Sequence, residues 1–486
     1  MRRRLSGPGC ALVAILAIGA ATGRAAPVRL IDAVKAGDRA AVQALLRQKV
    51  DLNAAEPDGT TALHWAARAN DAQTANVLIR AGANVKAANR YGVTPLLLAS
   101  TNGNAAFVEM LLEAGADPNT TLPEGETALM DAARSGSADT VNALLKHGSD
   151  VNRKEAWRGQ TALMWAAAEG HADVVRALLA HGADRRARSN GGFTPLLFAV
   201  REGRLGAVEA LVDAGADINE SLPARRRGAA AAENGAGTDS GVNAFMLAVA
   251  NVHYELASFL LDRGADPNAA PLGFTALHQI TWLRRPGSGD NNPAPQGSGS
   301  MDSLSFVRKL VAAGANVNAR ATKQANMGVT VRFHSVGATP FLLAARTADV
   351  PLMRLLLELG ADPALPNDDG TTPLLAAAGV GTNSPLEEPG TEAEVLEAVK
   401  LVLGRGGDIN TVDRNGDTVM HGAAHKHDPS VIRFFAERGA NVQIWNQPNK
   451  ANQTPLQIAE GVVVGMNIVS HAPTAAAIRE VLARNK

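Results

Sequence analysis

The 486-residue chain contains one cysteine, Cys10, and only 4% aromatic residues, among them two tyrosines and five tryptophans. A single cysteine excludes a disulfide framework and any Cys-based metal site, so stability must come from packing. Charge of neither sign dominates, since Lys plus Arg and Asp plus Glu both number 47, and no general nucleic-acid footprint follows. Long apolar runs are also missing. The longest, Ala11 to Ala21, is shorter than the roughly 20 residues that span a bilayer. No G-x-S-x-G elbow, Walker loop, H-E-x-x-H or Cys-x-x-Cys pair occurs, which leaves no recognisable catalytic constellation and no implied cofactor.

A period is present instead. A glycine followed two residues later by Thr recurs at Gly59, Gly92, Gly125, Gly159 and Gly192, in steps of 33, 33, 34 and 33 residues. Self-similarity at this spacing is the signature of a solenoid, whose units bury their apolar faces only against one another. Within the units, Thr94 and Thr161 stand where a hydroxyl caps a first helix, and Pro95 occupies the first turn. Val175, Leu178 and Leu179 form the i, i+3, i+4 stripe of a second helix. Gly115 and Gly182 then supply the left-handed residue that ends it.

These residues resemble the ankyrin repeat, in segments such as GTTALHWAA (Gly59 to Ala67), GFTPLLFAV (Gly192 to Val200), GFTALHQIT (Gly273 to Thr281), GATPFLLAA (Gly337 to Ala345) and GTTPLLAAA (Gly370 to Ala378). Weaker copies begin at Gly241, Gly416 and near Asn452. The resemblance implies an all-α solenoid of about 11 to 12 helix-turn-helix units with short β-hairpin turns. It also implies protein binding on a concave surface, with His421 in a structural hydrogen-bonding position.

The expected organisation is a signal peptide over 1–25, a capping repeat over 26–56, regular repeats over 57–219, an insertion at 220–238, and further repeats over 239–486. Those last repeats are interrupted at 283–302, 319–335, 380–391 and 461–473. Arg2, Arg3 and Arg4 before the apolar run, and small residues at Gly23 and Ala25, read as a cleavable secretory signal. Cleavage leaves 43 basic against 47 acidic residues. The expectation is a periplasmic or secreted bacterial protein, monomeric and without stable membrane insertion.

Candidate contacts with a protein partner are Tyr91, Arg134, Trp157, Phe193, Arg201, Phe274, Val331 and Phe333. Tyr91 and Trp157 fall in turns beside Arg90 and Arg158, and aromatic and Arg side chains anchor interfaces. Trp65 and Trp165 share one register ahead of Ala-Ala and read as packing residues. Val329, Val331 and Phe333 alternate with polar neighbours, which predicts a protruding hairpin removable without loss of the stack. A neutral loop is the alternative there. Arg225, Arg226, Arg227, Arg284 and Arg285 are candidates for an anion- or carbohydrate-binding reading, and an enzyme built from the insertions is a third. His421, His425 and His427, or Asp290, Asn291, Asn292 and Asp302, have ligand-type side chains, but no metal is expected. His425 and His427 are expected to end their helix near solvent.

Overall fold

In the computed structural model the described residues are 29–223, 241–286, 295–325, 333–382, 389–464 and 467–485. They form twelve successive antiparallel helix pairs, here numbered as units. Units one to six comprise Leu30–Lys35 with Arg39–Arg47, Ala62–Arg68 with Ala72–Arg80, Pro95–Thr101 with Ala105–Glu113, Ala128–Ser135 with Ala138–Lys146, Ala162–Glu169 with Ala172–Ala180, and Pro195–Arg201 with Leu205–Asp213. Units seven to nine are Ala244–Ala250 with Tyr254–Asp262, Ala276–Arg284 with Ser303–Ala312, and Pro340–Arg346 with Val350–Glu358. Units ten to twelve are Pro373–Ala377 with Glu392–Leu403, Val419–Lys426 with Pro429–Glu437, and Pro455–Glu460 with Ala472–Arg484.

The first helices contact one another along the chain and the second helices form a parallel layer behind them, giving an all-α solenoid. Each helix start follows from its sequence. Thr94, Thr127, Thr161 and Thr194 accept hydrogen bonds from the third helical N–H, at 3.1–3.4 Å. Such a cap is worth about 1 kcal/mol. Three units use histidine to complete the cap. His64, His278 and His421 contact the capping Thr hydroxyl through Nδ1 and reach the next finger's backbone carbonyl through Nε2. Burial lowers the pKa of all three, to about 4 for His278 and His421.

Second helices end at Gly115 (φ +90°) and Gly182 (φ +84°), a conformation that glycine adopts without a Cβ penalty. Neighbouring turns are then stitched by asparagine. Asn152 Oδ1 accepts from Asp184 N at 2.7 Å, and its Nδ2 donates to Gly182 O at 3.1 Å. Asn53, Asn119, Asn268, Asn318 and Asn410 each accept the corresponding bond. Leu178 and Val175 lie in one continuous apolar core that runs from Leu30 to Val481.

Unit one has a single fully buried residue in its second helix, Val42, consistent with an end unit. At the other end, Val462–Val464 pairs antiparallel with Asn467–Val469, so a small hairpin stands within the 461–473 segment. Among the described residues no helix is long and apolar enough to cross a membrane.

Candidate functional site

Because each capping Thr fixes the phase of its first helix, the fourth and seventh helical residues recur on one face. In units two, five and six the fourth residue is aromatic: Trp65, Trp165 and Phe198. In units two, four and six the seventh is Arg68, Arg134 and Arg201. These side chains meet. Arg68 lies 5.3 Å from the Trp65 ring and Lys35 covers it at 4.2 Å. Arg134 sits 5.0 Å from Trp165, and Arg201 contacts Phe193 and Phe198 at 4.9 and 5.1 Å. A cation over a ring contributes about 0.5–1 kcal/mol at exposed sites.

Finger turns continue this face outward. Backbone bonds from Arg90 N to Asp58 O, Ala156 N to Glu124 O and Asn190 N to Arg158 O, each 2.8 Å, tie adjacent fingers together. Tyr91 and Trp157 stand on these turns 55% and 70% exposed, covered by Arg90 and Arg158 at 4.8 and 4.4 Å. Their backbones are fixed from below. Asn89 Oδ1 accepts from Tyr91 N and Val93 N, both at 3.0 Å. In the Trp157 finger the 34-residue step adds one residue to the turn, and the longer Glu155 replaces asparagine. Its buried carboxylate accepts from Trp157 N, Arg158 N and Gln160 N at 2.6–2.9 Å.

Asp131 occupies the fourth position of unit four, beneath Arg134. Burial, reinforced by the neighbouring Glu126 carboxylate and offset by Arg134, pushes its pKa up to about 7. Arg134 Nη2 lies 2.7 Å from Asp131 and 3.5 Å from Glu126.

The same face differs in units ten to twelve. The fourth and seventh residues become Ala376 and Gly379 in unit ten, then Gly422 and His425 in unit eleven. The space over Ala376 is filled by Phe333, which belongs to the 319–335 insertion and packs with Leu342, Leu343 and Trp282. A Cβ on Gly381 (φ +90°) would come within 3.0 Å of Phe333, so only glycine there admits the ring. Beside Phe333 lies a cleft of about 370 Å³, with walls that include His334, Asp369, Asp417, His425 and Lys450.

Comparison with known proteins agrees with this architecture. A family profile described as ankyrin repeats in three copies matches residues 30–122 and 129–221, and an ankyrin-repeat profile matches 240–270 and 336–368. Together the matches cover just over half of the chain. The chain belongs to the ankyrin-repeat family. Similar curated proteins include human SH3 and multiple ankyrin repeat domains protein 2, 30% identical over 221 residues, which is 41% of this chain and 10% of that protein. Ankyrin repeat, SAM and basic leucine zipper domain-containing protein 1 is 33% identical in Dasypus novemcinctus over 104 residues, 21% of this chain and 20% of the relative. The Oryctolagus cuniculus protein of that name is 33% identical over 96 residues, 20% and 18% of the two chains. The ankyrin chain therefore spans a tenth to a fifth of the length of these curated relatives, all of which are mammalian.

Within the ankyrin stack, Tyr91, Arg134, Trp157, Phe193 and Arg201 fall on units three to six and their fingers. Phe193 is half-buried there, tilted against Phe198 at 5.3 Å. Two expected contacts are corrected. Phe274 is 8% exposed, edge-on to Trp282 and covered by Ala321 and Ala325 from the insertion. Phe333 is 2% exposed and faces the first helices, so it does not sit on the outer face of a protruding hairpin. Val329 and Val331 lie outside the described residues, as do residues 1–28, Arg225, Arg226, Arg227, Asp290, Asn291 and Asn292.

Arg284 and Arg285 are occupied by carboxylates. Arg284 makes a two-pronged pair with fully buried Asp349 at 2.6 and 3.0 Å, and Arg285 reaches Glu394 at 2.6 Å. Asp302 caps a helix through Leu304 N and Ser305 N. The histidine cluster does not converge either. His421 is engaged in its cap, His425 lines the cleft, and His427 stacks on His471 with centroids 4.8 Å apart. His427 is thus half-buried, contrary to the expectation of a solvated end, and desolvation together with His471 lowers its pKa to about 4. No group of three or more His, Cys, Asp or Glu among the described residues could hold a metal ion.

Sequence reasoning missed the cleft, the Glu155 pin and the carboxyl groups of Asp131 and Asp428, both raised to about 7. Asp428 is pushed up to about 7 by burial and by Glu392. The available signals were the extra residue in the 34-residue step and the run of small residues at Ala376, Gly379, Gly381 and Gly422.

Proposed function

We propose that this protein is a non-catalytic scaffold that binds a partner protein on the finger and first-helix face of units two to six. One observation carries the reading: Tyr91 and Trp157 are large, exposed and held on pinned turns. Fixing an exposed aromatic before binding reduces the ordering cost that association would otherwise incur. Three to five repeats offer enough area for the roughly 800 Å² per side of a stable complex. The anion- or carbohydrate-binding reading is weakened because Arg284 and Arg285 already hold Asp349 and Glu394.

The test is a crosslinked pull-down in which wild type and a Tyr91→Ala/Trp157→Ala double variant are compared by quantitative mass spectrometry. Specific partners should fall at least about tenfold, equivalent to about 1.4 kcal/mol. An unchanged partner profile contradicts the reading. We further propose export to the periplasm or medium, supported by the basic-apolar-small pattern of residues 1–25. Amino-terminal sequencing should begin near Ala26; recovery of the intact chain from the cytosol contradicts export.

A further inference from the structure

Charge is distributed unevenly over the finger turns. The fingers ahead of units five and six, residues 150–160 and 184–193, carry six basic against three acidic residues, in a chain with equal totals of each. On one side the unit-four finger, residues 117–126, holds Asp117, Glu124 and Glu126 and no basic residue. On the other side the unit-seven finger opens with Asp217 and Glu220. The basic region is therefore bounded at both ends. Trp157, the most exposed large apolar side chain among the described residues, stands within it.

Register shows where the charge enters. Glu155 N and Ser189 N close their hairpins onto Gln160 O and Phe193 O at 3.0 and 2.9 Å, as Glu56, Asn89, Leu122 and Leu222 do in units two, three, four and seven. The residue just before that bond is Ala55, Ala88, Thr121 and Ser221 in those four fingers, but Lys154 and Arg188 in units five and six. The two cations thus hold one position on adjacent fingers and lie side by side. Lys154 Nζ donates to Arg188 O at 2.7 Å, and Arg188 Nη1 donates to Gly192 O and Ser221 O at 2.7 and 3.3 Å. Asn190 Nδ2 donates to Trp157 O at 3.0 Å, which ties the Trp157 turn to the same pair of fingers.

The acids of these two fingers serve their own backbones. Asp150 and Asp184 accept from Asn152 N and Arg186 N at 3.0 and 2.8 Å, and Glu155 is the buried pin of the Trp157 turn. The carboxylate whose field reaches Arg188 is Glu220, half-buried and bonded by the Thr194 hydroxyl. Arg153, Lys154, Arg186 and Arg188 are exposed, and among the described residues no carboxylate pairs with them. Cations spread over two fingers on open surface suit a run of negative charges better than one small anion. Single-stranded nucleic acid is bound by stacking successive bases on several rings, and here Trp157 is the one exposed ring. Opposite charge on a polypeptide would steer its encounter and fix its register. With about 10 Å between neighbouring repeats, two fingers and their flanks span on the order of 20 Å, which about six extended residues cover.

We propose that the fingers of units five and six receive an acidic, extended segment of the partner polypeptide, with Lys154 and Arg188 contacting its carboxylates beside Trp157. The assignment rests on units two to six being the partner face and adds the chemistry of what binds there.

The test is fluorescence-anisotropy titration of the full chain with a labelled Gly-Glu-Glu-Leu-Glu-Glu-Gly peptide, its Gln counterpart and a labelled oligothymidylate. The Glu peptide should bind saturably, at least about tenfold tighter than the Gln peptide, with an affinity that falls as salt rises. Lys154→Glu/Arg188→Glu should weaken it about tenfold or more. Arg47→Glu/Arg80→Glu makes the same change of net charge at the ends of second helices behind the core and should leave binding unchanged. Because Lys154 and Arg188 also bond neighbouring carbonyls, Arg153→Glu/Arg186→Glu supplies a second pair on exposed side chains, expected to keep the wild-type melting temperature and to lose about threefold or more in affinity. Absence of saturable binding, equal affinity for the Gln peptide, an equal loss in Arg47→Glu/Arg80→Glu, or wild-type affinity in both finger variants overturns the proposal. Tighter binding of the oligothymidylate overturns the polypeptide class. In the crosslinked pull-down, partners lost from Tyr91→Ala/Trp157→Ala but retained by both finger variants overturn the acidic chemistry and leave the partner face standing. Partners retained by all three variants overturn the partner face, and the proposal with it.

Discussion

Units two to six and units nine to twelve share one repeat geometry but fill the same face differently. In the regular half, the fourth and seventh residues of the first helices cover the face with the repeat's own rings and cations, as in Trp65 with Arg68 and Phe198 with Arg201. In units ten and eleven of the interrupted half those positions shrink to Ala376, Gly379 and Gly422, and an insertion packs Phe333 over Ala376. Helix positions are set by capping and core residues in both halves. Surface chemistry is set by a few positions that the fold leaves free, so a solenoid can carry two unlike surfaces on one backbone plan.

The largest expected effect breaks this symmetry directly. Phe333→Ala should destabilise the interrupted half by about 3–5 kcal/mol through the cavity left over Leu342, Leu343 and Ala376. Trp165→Ala in the regular half removes a half-exposed ring and should cost less. Segment-resolved hydrogen exchange in urea would read both; equal losses would mean that Phe333 is only a surface cover. The expectation that the hairpin of the 319–335 insertion can be removed without loss of the stack is revised accordingly. Ser335, which ends the insertion, donates its N–H to Gln324 Oε1 within it at 2.9 Å.

Asp131→Asn addresses the regular half by pH. Its folded pKa is raised above 3.8, so the native state binds more protons between pH 3.8 and about 7, and the group's contribution to stability falls as pH rises through that window. The variant should therefore gain on wild type from pH 4 to 7, by about 1–3 kcal/mol, and keep a constant difference above. A constant difference across pH 4–8 in thermal melts would show that Asp131 ionises normally. His278 in unit eight and His421 in unit eleven act in the opposite sense. With folded pKa values of about 4 against 6.5, their burial costs stability as pH falls below 6.5.

Asn152→Ala removes the bonds to Asp184 N and Gly182 O and should cost about 1–2 kcal/mol, visible as earlier opening between units five and six in hydrogen exchange. No change there would remove the asparagine ladder from the account of how units couple. The smallest effect is expected at the fingertips. Tyr91→Ala and Trp157→Ala should each shift stability by no more than about 0.5 kcal/mol, because neither ring enters the core. A larger loss in denaturant melts would make these aromatics structural.

The repeat architecture was legible because its signals are local. A Thr cap, a first-turn proline and a left-handed glycine each act within one or two turns, so Thr94, Pro95 and Gly115 announce their roles without tertiary context. The exposure of Tyr91 and Trp157 followed from the turns that hold them. Phe274 and Phe333 were misread for the opposite reason. Phe193 and Phe274 occupy the same position after a turn glycine, yet only Phe274 is covered by Ala321 and Ala325 from a distant insertion. Nothing in the local alternation around Phe333 states which way an inserted segment folds back. The small residues that receive it, Ala376 and Gly381, lie more than 40 positions further along, so the signal is meaningful only once units nine and ten are assembled.

The most direct test places a photo-crosslinking phenylalanine analogue at Trp157, on a finger, or at Val77, on a second helix behind the core and 36% exposed. Irradiation in the native compartment, followed by mass spectrometry, should give specific protein adducts from position 157 and none from position 77. Adducts confined to position 77, or equally abundant at both, would contradict the assignment of partner recognition to the finger and first-helix face.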